Sequence, residues 1–442
     1  MKDLAGFFVA TQNDKFMSSF DFYRLPNGVR VMLVPMAGVE SVAVGVYMGV
    51  GARYETENIN GISHFLEHMV FKGTAKFPTH SDTSYLEGLG AIQNAWTDVD
   101  ATAYWCKIPA NRWKEGLEVV KELALYPTFP EADLEIERGT ILEEINRSAD
   151  KPEVIVGEEL FRLMFAGNTL ERTILGKPEV IKAVTRQDFV DYHAKHYLSG
   201  NALVVLAGKI DIEGTKQQII SWFGDLPEAN KTGFDMYRDT QTQSEVTIFN
   251  KDLSNQAHIE LAVRGLTLDD PRRFALAILT SYLGEGLSSR LFVELREKRG
   301  LCYAVRAAEQ KMKDTGVWSV YAGVALSKLD EAVKAILVEM TRLKEVKLTE
   351  AELLASKEKL RGPFLFSSEN PINQMEYFAR QALERPEEIL SYQQVIDKLM
   401  AVTAEEIQNV AQSIFVTQKL NLAVVGPLEP GRKEELHKLL QV

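Results

Sequence analysis

Cysteine is almost missing: Cys106 and Cys302, one in each half, are the only two in 442 residues. Two thiols so far apart encode neither a disulfide framework nor a cysteine-ligated metal site, and a reducing, cytoplasmic compartment is expected. Basic residues are also scarce, 50 against 62 acidic ones, which leaves a formal charge of −12. That balance argues against a phosphate-binding face, so no nucleic-acid partner is expected. Missing too is any uninterrupted apolar run of bilayer-crossing length, and no membrane span is expected. The opening residues turn polar after a short apolar patch, so residues 1–18 read as a tail ahead of the first strand rather than as a signal peptide. Gly284 and Gly286 lack the spacing and the following Lys-Ser or Lys-Thr of a phosphate loop, which removes nucleotide from the expectations.

What is present is a plan written twice. Ala183-Val184-Thr185, Phe189, Tyr197 and the strand at 204–208 align without gaps on Ala401-Val402-Thr403, Ile407, Phe415 and 422–426, at an offset of 218. Upstream, Glu131-Ala132-Asp133-Leu134 matches Glu350-Ala351-Glu352-Leu353 at an offset of 219. Both halves open with paired strands, in which Val29, Val31 and Leu33, then Val42, Val44 and Val46, alternate in one, and Ile259, Leu261 and Val263 in the other. A helix follows in each, announced in the second half by Asp269-Asp270-Pro271. The stretch 226–244, rich in Pro, Asn, Asp, Thr and Gln, reads as a linker. The expected fold is α+β: two homologous α/β-sandwich domains, each a mainly antiparallel sheet packed by helices. Their expected bounds are 19–225 and 245–442.

The first-half helix carries His64-Phe65-Leu66-Glu67-His68. Positions four apart lie one turn above each other, so His64 and His68 can offer two imidazole nitrogens to one ion. Glu67 projects from nearly the same side and can reach a metal-bound water as general base without being a ligand. The H-x-x-E-H pattern is the inverzincin signature. A catalytic zinc keeps three protein ligands and one open position, so a third donor is required. On the helix expected over 131–146, Glu137 and Glu144 return to nearly one face, while Glu143 points about 100° away. Glu144 is therefore taken as the ligand and Glu137 as a carboxylate that orients a ligand or water. The repeat supports a grafted site: His64, Glu67 and His68 fall opposite Ala275, Ile278 and Leu279, and Glu137 and Glu144 opposite Ser356 and Pro363. His193 and His196 read as helix packing, and His80, His258 and His437 as isolated surface or loop residues.

These motifs, with the strand Leu25-Pro26-Asn27-Gly28-Val29 and the stretch Leu295-Arg296-Glu297-Lys298-Arg299-Gly300-Leu301-Cys302-Tyr303, span nearly the whole chain. Together they resemble the pitrilysin and insulinase inverzincin metallopeptidases, especially the short members related to mitochondrial processing peptidase. The resemblance implies one zinc per chain on His64, His68 and Glu144, with Glu67 as base. It implies that the segment containing Asn94 and Ala95 is an edge strand on which an extended peptide pairs. It also implies that Arg296 and Tyr303 are substrate-side residues that stabilise the oxyanion. Glu285 departs from the family's more glycine-rich version of 283–289. In short members two chains form a clamshell, so a homodimer, or a heterodimer with a related chain, is expected, with Arg296 and Tyr303 serving the partner's metal set. The expected activity is zinc-dependent endoproteolysis of oligopeptide or presequence-like substrates. The rivals are a non-catalytic subunit of a heteromeric peptidase or respiratory-type complex, and a peptide-holding chamber that does not cut.

Overall fold

The computed structural model describes residues 20–429 and 431–442. The tail expected over residues 1–18 lies outside the described residues.

Two sheets organise the chain. The first has the order β1-β2-β6-β3-β5-β4, built from β1 (Asp21–Arg24), β2 (Arg30–Pro35), β3 (Ser41–Met48), β4 (Ile92–Thr97), β5 (Thr102–Pro109) and β6 (Ala202–Gly208). The second has the order β7-β11-β8-β10-β9, from β7 (Glu245–Asn250), β8 (Gln256–Arg264), β9 (Cys302–Lys311), β10 (Gly316–Ala325) and β11 (Asn421–Gly426). Each sheet is antiparallel except for one pairing, β2 with β6 and β7 with β11. The two-domain α+β expectation therefore holds. One detail does not: the strands expected to pair, β2 with β3 in the first half, are not neighbours, because the last strand of that half inserts between them, as it does between β7 and β8 in the second. β6 separates β2 from β3, and β11 separates β7 from β8. An inserted strand is buried on both faces and reads as a near-continuous apolar run, as Ala202–Gly208 and Asn421–Gly426 do, all buried.

The repeat is visible in local physics. The helices Arg186–His196 and Ala404–Ile414 share the 218 offset, and each starts with a reciprocal capping box, Thr185 with Asp188 and Thr403 with Glu406. Such a box satisfies two of the orphan N–H groups at a helix start. Glu131–Ala149 and Glu350–Ser367 correspond as expected, with Pro363 inside the second where Glu144 lies in the first. Residues 227–244 carry no regular structure.

Contacts divide the chain differently from the contiguous halves suggested by the repeat. One unit gathers residues up to 146, 172–234 and 366–392; the other gathers 147–171, 235–365 and 393–442. The helix Pro152–Met164 packs on β11, β8 and β7, and its repeat mate Pro371–Glu384 packs on β6, β3 and β2. Each half thus lends one helix to the other half's sheet. Burying an apolar helical stripe requires only a complementary sheet face, and two copies of one plan supply two such faces. Among the described residues no helix is long and apolar enough to cross a membrane.

Candidate metal centre

The helix Ile62–Val70 follows Gly61, whose φ of 97° is left-handed and whose added Cβ would meet the Leu175 carbonyl oxygen at 2.6 Å. Only glycine accepts both conditions without strain. Along this helix Ile62, Ser63, Phe65, Leu66, Met69 and Val70 are buried, so the three residues left partly open are His64, Glu67 and His68. A stripe of apolar side chains clamps one face and aims the polar trio from the other.

The start of this helix is held by a residue that sequence reasoning missed. Glu55 is buried, and its Oε2 accepts from the Gly61 N–H at 2.7 Å and from Asn60 Nδ2 at 2.8 Å, while Oε1 accepts from the Ser63 N–H at 2.8 Å. Burial pushes its carboxyl up to about 7, against the opposing pull of those donors. A carboxylate here satisfies orphan donors and complements the positive helix end. Nothing in the sequence marks it, since it lies outside the helix in an irregular segment. Glu55→Ala strands two buried backbone N–H groups and is expected to cost about 3 kcal/mol of unfolding free energy, read by urea denaturation.

The second helix, Glu131–Ala149, brings acids to the same place. Glu144 Oε2 lies 3.6 Å from His64 Nε2, and Glu144 Oε1 lies 3.8 Å from His68 Nε2. Donor atoms of His64, His68 and Glu144 all fall within 4.8 Å of one another, the one such group among the described residues. Zinc bonds of about 2.0–2.1 Å in a tetrahedron separate donors by about 3.3 Å, so small side-chain adjustments close this set on one ion. Glu143 is exposed, as its place on the helix requires.

Glu137 is buried beside this set. Its Oε2 lies 3.1 Å from His68 Nδ1, and its Oε1 lies 2.6 Å from Lys72 Nζ. Burial alone would raise its carboxyl, but the hydrogen bonds from Lys72 and His68 outweigh burial and hold it below the usual range. As a carboxylate it accepts the His68 Nδ1 proton, which leaves the Nε2 lone pair facing Glu144. Lys72, another residue not singled out from the sequence, keeps Glu137 charged. Burial and the adjacent His68 lower His64 to about 4, so its ring is neutral, the ligating form. Glu137→Ala is expected to weaken zinc binding about 10- to 100-fold, measured by competition with a chromogenic chelator.

Glu67 is raised above its usual range, first by burial and further by Glu144, while Thr97 and His68 oppose the shift. Its Oε2 accepts from Thr97 Oγ1 at 2.6 Å. Thr97 ends β4, the edge strand of its sheet, so the candidate base is tied directly to that edge. Asn94 and Ala95 both lie on β4, and the Ala95 N–H is satisfied by the neighbouring Asn94 Oδ1 at 2.9 Å.

Arg296 and Tyr303 belong to the other unit. Arg296 is exposed on a π-helical turn, Phe292–Lys298, with its guanidinium 4.8 Å over the Phe292 ring. Tyr303 is near the start of β9, 46% exposed. The expectation that His258 is an isolated surface or loop residue is overturned: it is 6% exposed on β8, between the hydroxyls of Tyr303 and Tyr321. It lies on the face of β8 opposite the core residues Ala257, Ile259 and Leu261, and the tyrosines that bury it are distant in sequence. His80 and His437 are exposed, though on the short helices His80–Thr83 and Arg432–Leu439 rather than in loops. The rings of His193 and His196 pack against Tyr197 and Tyr192.

Comparison with known proteins follows the same division. An uncharacterized zinc protease of Streptomyces coelicolor is 31% identical over 422 residues, covering 93% of this chain and 91% of that protein. An uncharacterized zinc protease of Bacillus subtilis is 31% identical over 406 residues, covering 92% and 98%. A protease from Helicobacter pylori shares the fold with a TM-score of 0.86 at 22% identity, covering 93% of this chain and all of that one. The model for the peptidase M16 inactive domain matches residues 183–360, where the repeat lacks the donor set. The model for insulinase, peptidase family M16, matches residues 30–178, the stretch that contains both donor-bearing helices. A family match over both halves, joined to near-complete alignment with relatives named zinc proteases, makes this chain a member of the insulinase family, peptidase family M16.

Proposed function

We propose that the chain is a zinc-dependent endopeptidase for extended oligopeptide or presequence-like chains, with one zinc held by His64, His68 and Glu144. The observation that carries this reading is the convergence of their three donor atoms within 4.8 Å, on the face that also bears Glu67. Zinc bound there would supply an activated water and a Lewis acid for the scissile carbonyl. Glu67 takes the proton from the attacking water and passes it to the leaving amine. Its raised carboxyl suits it to hold that proton between the two steps.

The edge of β4 presents main-chain groups around Asn94 and Ala95, which pair with an extended substrate and leave sequence selectivity to side pockets. On binding, the Ala95 N–H exchanges its Asn94 partner for a substrate carbonyl. Arg296 and Tyr303 steady the oxyanion at the metal set of a second copy of the chain, in a homodimeric chamber. Two buried, free thiols suit a reducing, cytoplasmic setting.

The test is cleavage of a mixed peptide library by the purified chain with and without chelator, with light scattering to size the assembly. Chelator-sensitive cleavage by a dimer is the expected result. Zinc bound by a wild-type chain that cuts nothing, alone or with a related partner, would favour a non-catalytic subunit instead.

A further inference from the structure

β9 and β10 pair in regular antiparallel register except at one place: Ala304 faces Gly323, yet Cys302 faces Val324, so Tyr303 is the extra residue of a bulge. A bulge bends its strand and re-aims a side chain. Here the Tyr303 ring lies over Gly323, where an added Cβ would come within 2.5 Å of the phenol oxygen. Directly across from Gly323 on β8 is His258. Its Nε2 lies 3.0 Å from the Tyr303 hydroxyl, and its Nδ1 lies 2.8 Å from the Tyr321 hydroxyl. Bulge, missing side chain and buried histidine thus converge on one hydroxyl.

The direction of the protons follows from burial. Burial holds the His258 imidazole below its usual range, against an opposing pull from Glu153, so the ring is neutral and carries one N–H. Tyr321 is only 8% exposed, so its hydroxyl proton needs an acceptor within the protein, whereas Tyr303 is half open. If Tyr303 donated to Nε2, Nδ1 would hold the ring proton and the buried Tyr321 proton would have to turn from the ring to the Tyr303 oxygen. The other arrangement uses only the two short ring contacts, at 2.8 and 3.0 Å: Tyr321 donates to Nδ1, and Nε2–H donates to Tyr303, whose own proton is left on its open side.

We propose that His258 is a positioning residue that holds the Tyr303 hydroxyl as an acceptor, leaving the phenol's single proton to point outward at the substrate carbonyl oxygen. This rests on the role given above to Tyr303. His258 fixes where that proton goes, and Gly323 and the bulge fix where the ring sits.

Three variants and one spectrum test it. Tyr303→Phe removes the donor and should lower kcat about 100-fold. His258→Asn keeps an acceptor for Tyr321 but no donor within reach of Tyr303, and should lower kcat about tenfold with little change in KM. His258→Gln puts an amide N–H near the Nε2 position and should restore kcat to within about threefold of wild type. In a Tyr303→Phe background the Asn substitution should cost nothing further. NMR of nitrogen-labelled histidine in the wild-type protein, assigned with His258→Gln, should show the proton on Nε2. A proton on Nδ1, or additive losses in the double variant, would overturn the relay while leaving Tyr303 as a donor. Full activity of Tyr303→Phe in a chain that otherwise cleaves would instead remove the role of Tyr303, and the relay's purpose with it.

Discussion

Glu67→Gln is expected to lower kcat by about three orders of magnitude while leaving zinc content unchanged, since a positioned general base contributes about 10²–10⁴-fold. Glutamine keeps the shape and can still meet Thr97, whose hydroxyl lies 2.6 Å from Glu67 Oε2, so the fold and the β4 edge should persist. What it cannot do is accept a proton. Glu67 is also outside the group of donor atoms formed by His64, His68 and Glu144, which is why metal content and turnover should separate. Elemental analysis beside peptide turnover checks this. A variant that lost both would place Glu67 among the ligands, and one that lost neither would remove it from the chemistry.

His64→Ala should have a larger effect and a different signature. With two of three donors left, the site should lose zinc, and turnover should fall beyond the range of the base substitution. His64 Nε2 is 3.6 Å from Glu144 and its ring packs edge-on against His68 at 4.8 Å, and these three form the one candidate donor group among the described residues. Stability supplies a readout independent of activity. A ligand at 100 times its dissociation constant adds about 2.7 kcal/mol to the folded state. Zinc should therefore raise the melting temperature of the wild-type apoprotein and that of Glu67→Gln, but not that of His64→Ala. A melting temperature indifferent to zinc in the wild type would defeat the metal assignment.

These two variants also show how much of the site was legible beforehand. Helical spacing puts 64, 67 and 68 on one face, and the same arithmetic separates Glu144, which is half-buried, from Glu143, which is exposed. The residues that hold this set in place were not legible. Glu55 caps the histidine helix from outside it, Lys72 reaches Glu137 from beyond the helix end, and Thr97 reaches Glu67 from a strand 30 residues on. A hydrogen bond between residues in different elements leaves no period in the sequence.

The sequence by itself determined what is local and periodic: helices whose apolar faces recur, strands whose alternation survives duplication, and a duplicated plan of which one copy keeps the donor set. Only the tertiary structure decided what depends on which surfaces meet. It placed β6 between β2 and β3 and β11 between β7 and β8, and it gave each sheet a helix from the other half. It also took His258, read from the sequence as an isolated surface or loop residue, and buried it between the Tyr303 and Tyr321 hydroxyls. Two similar sheets offer nearly equivalent faces, so the pattern that specifies a buried stripe does not specify its owner.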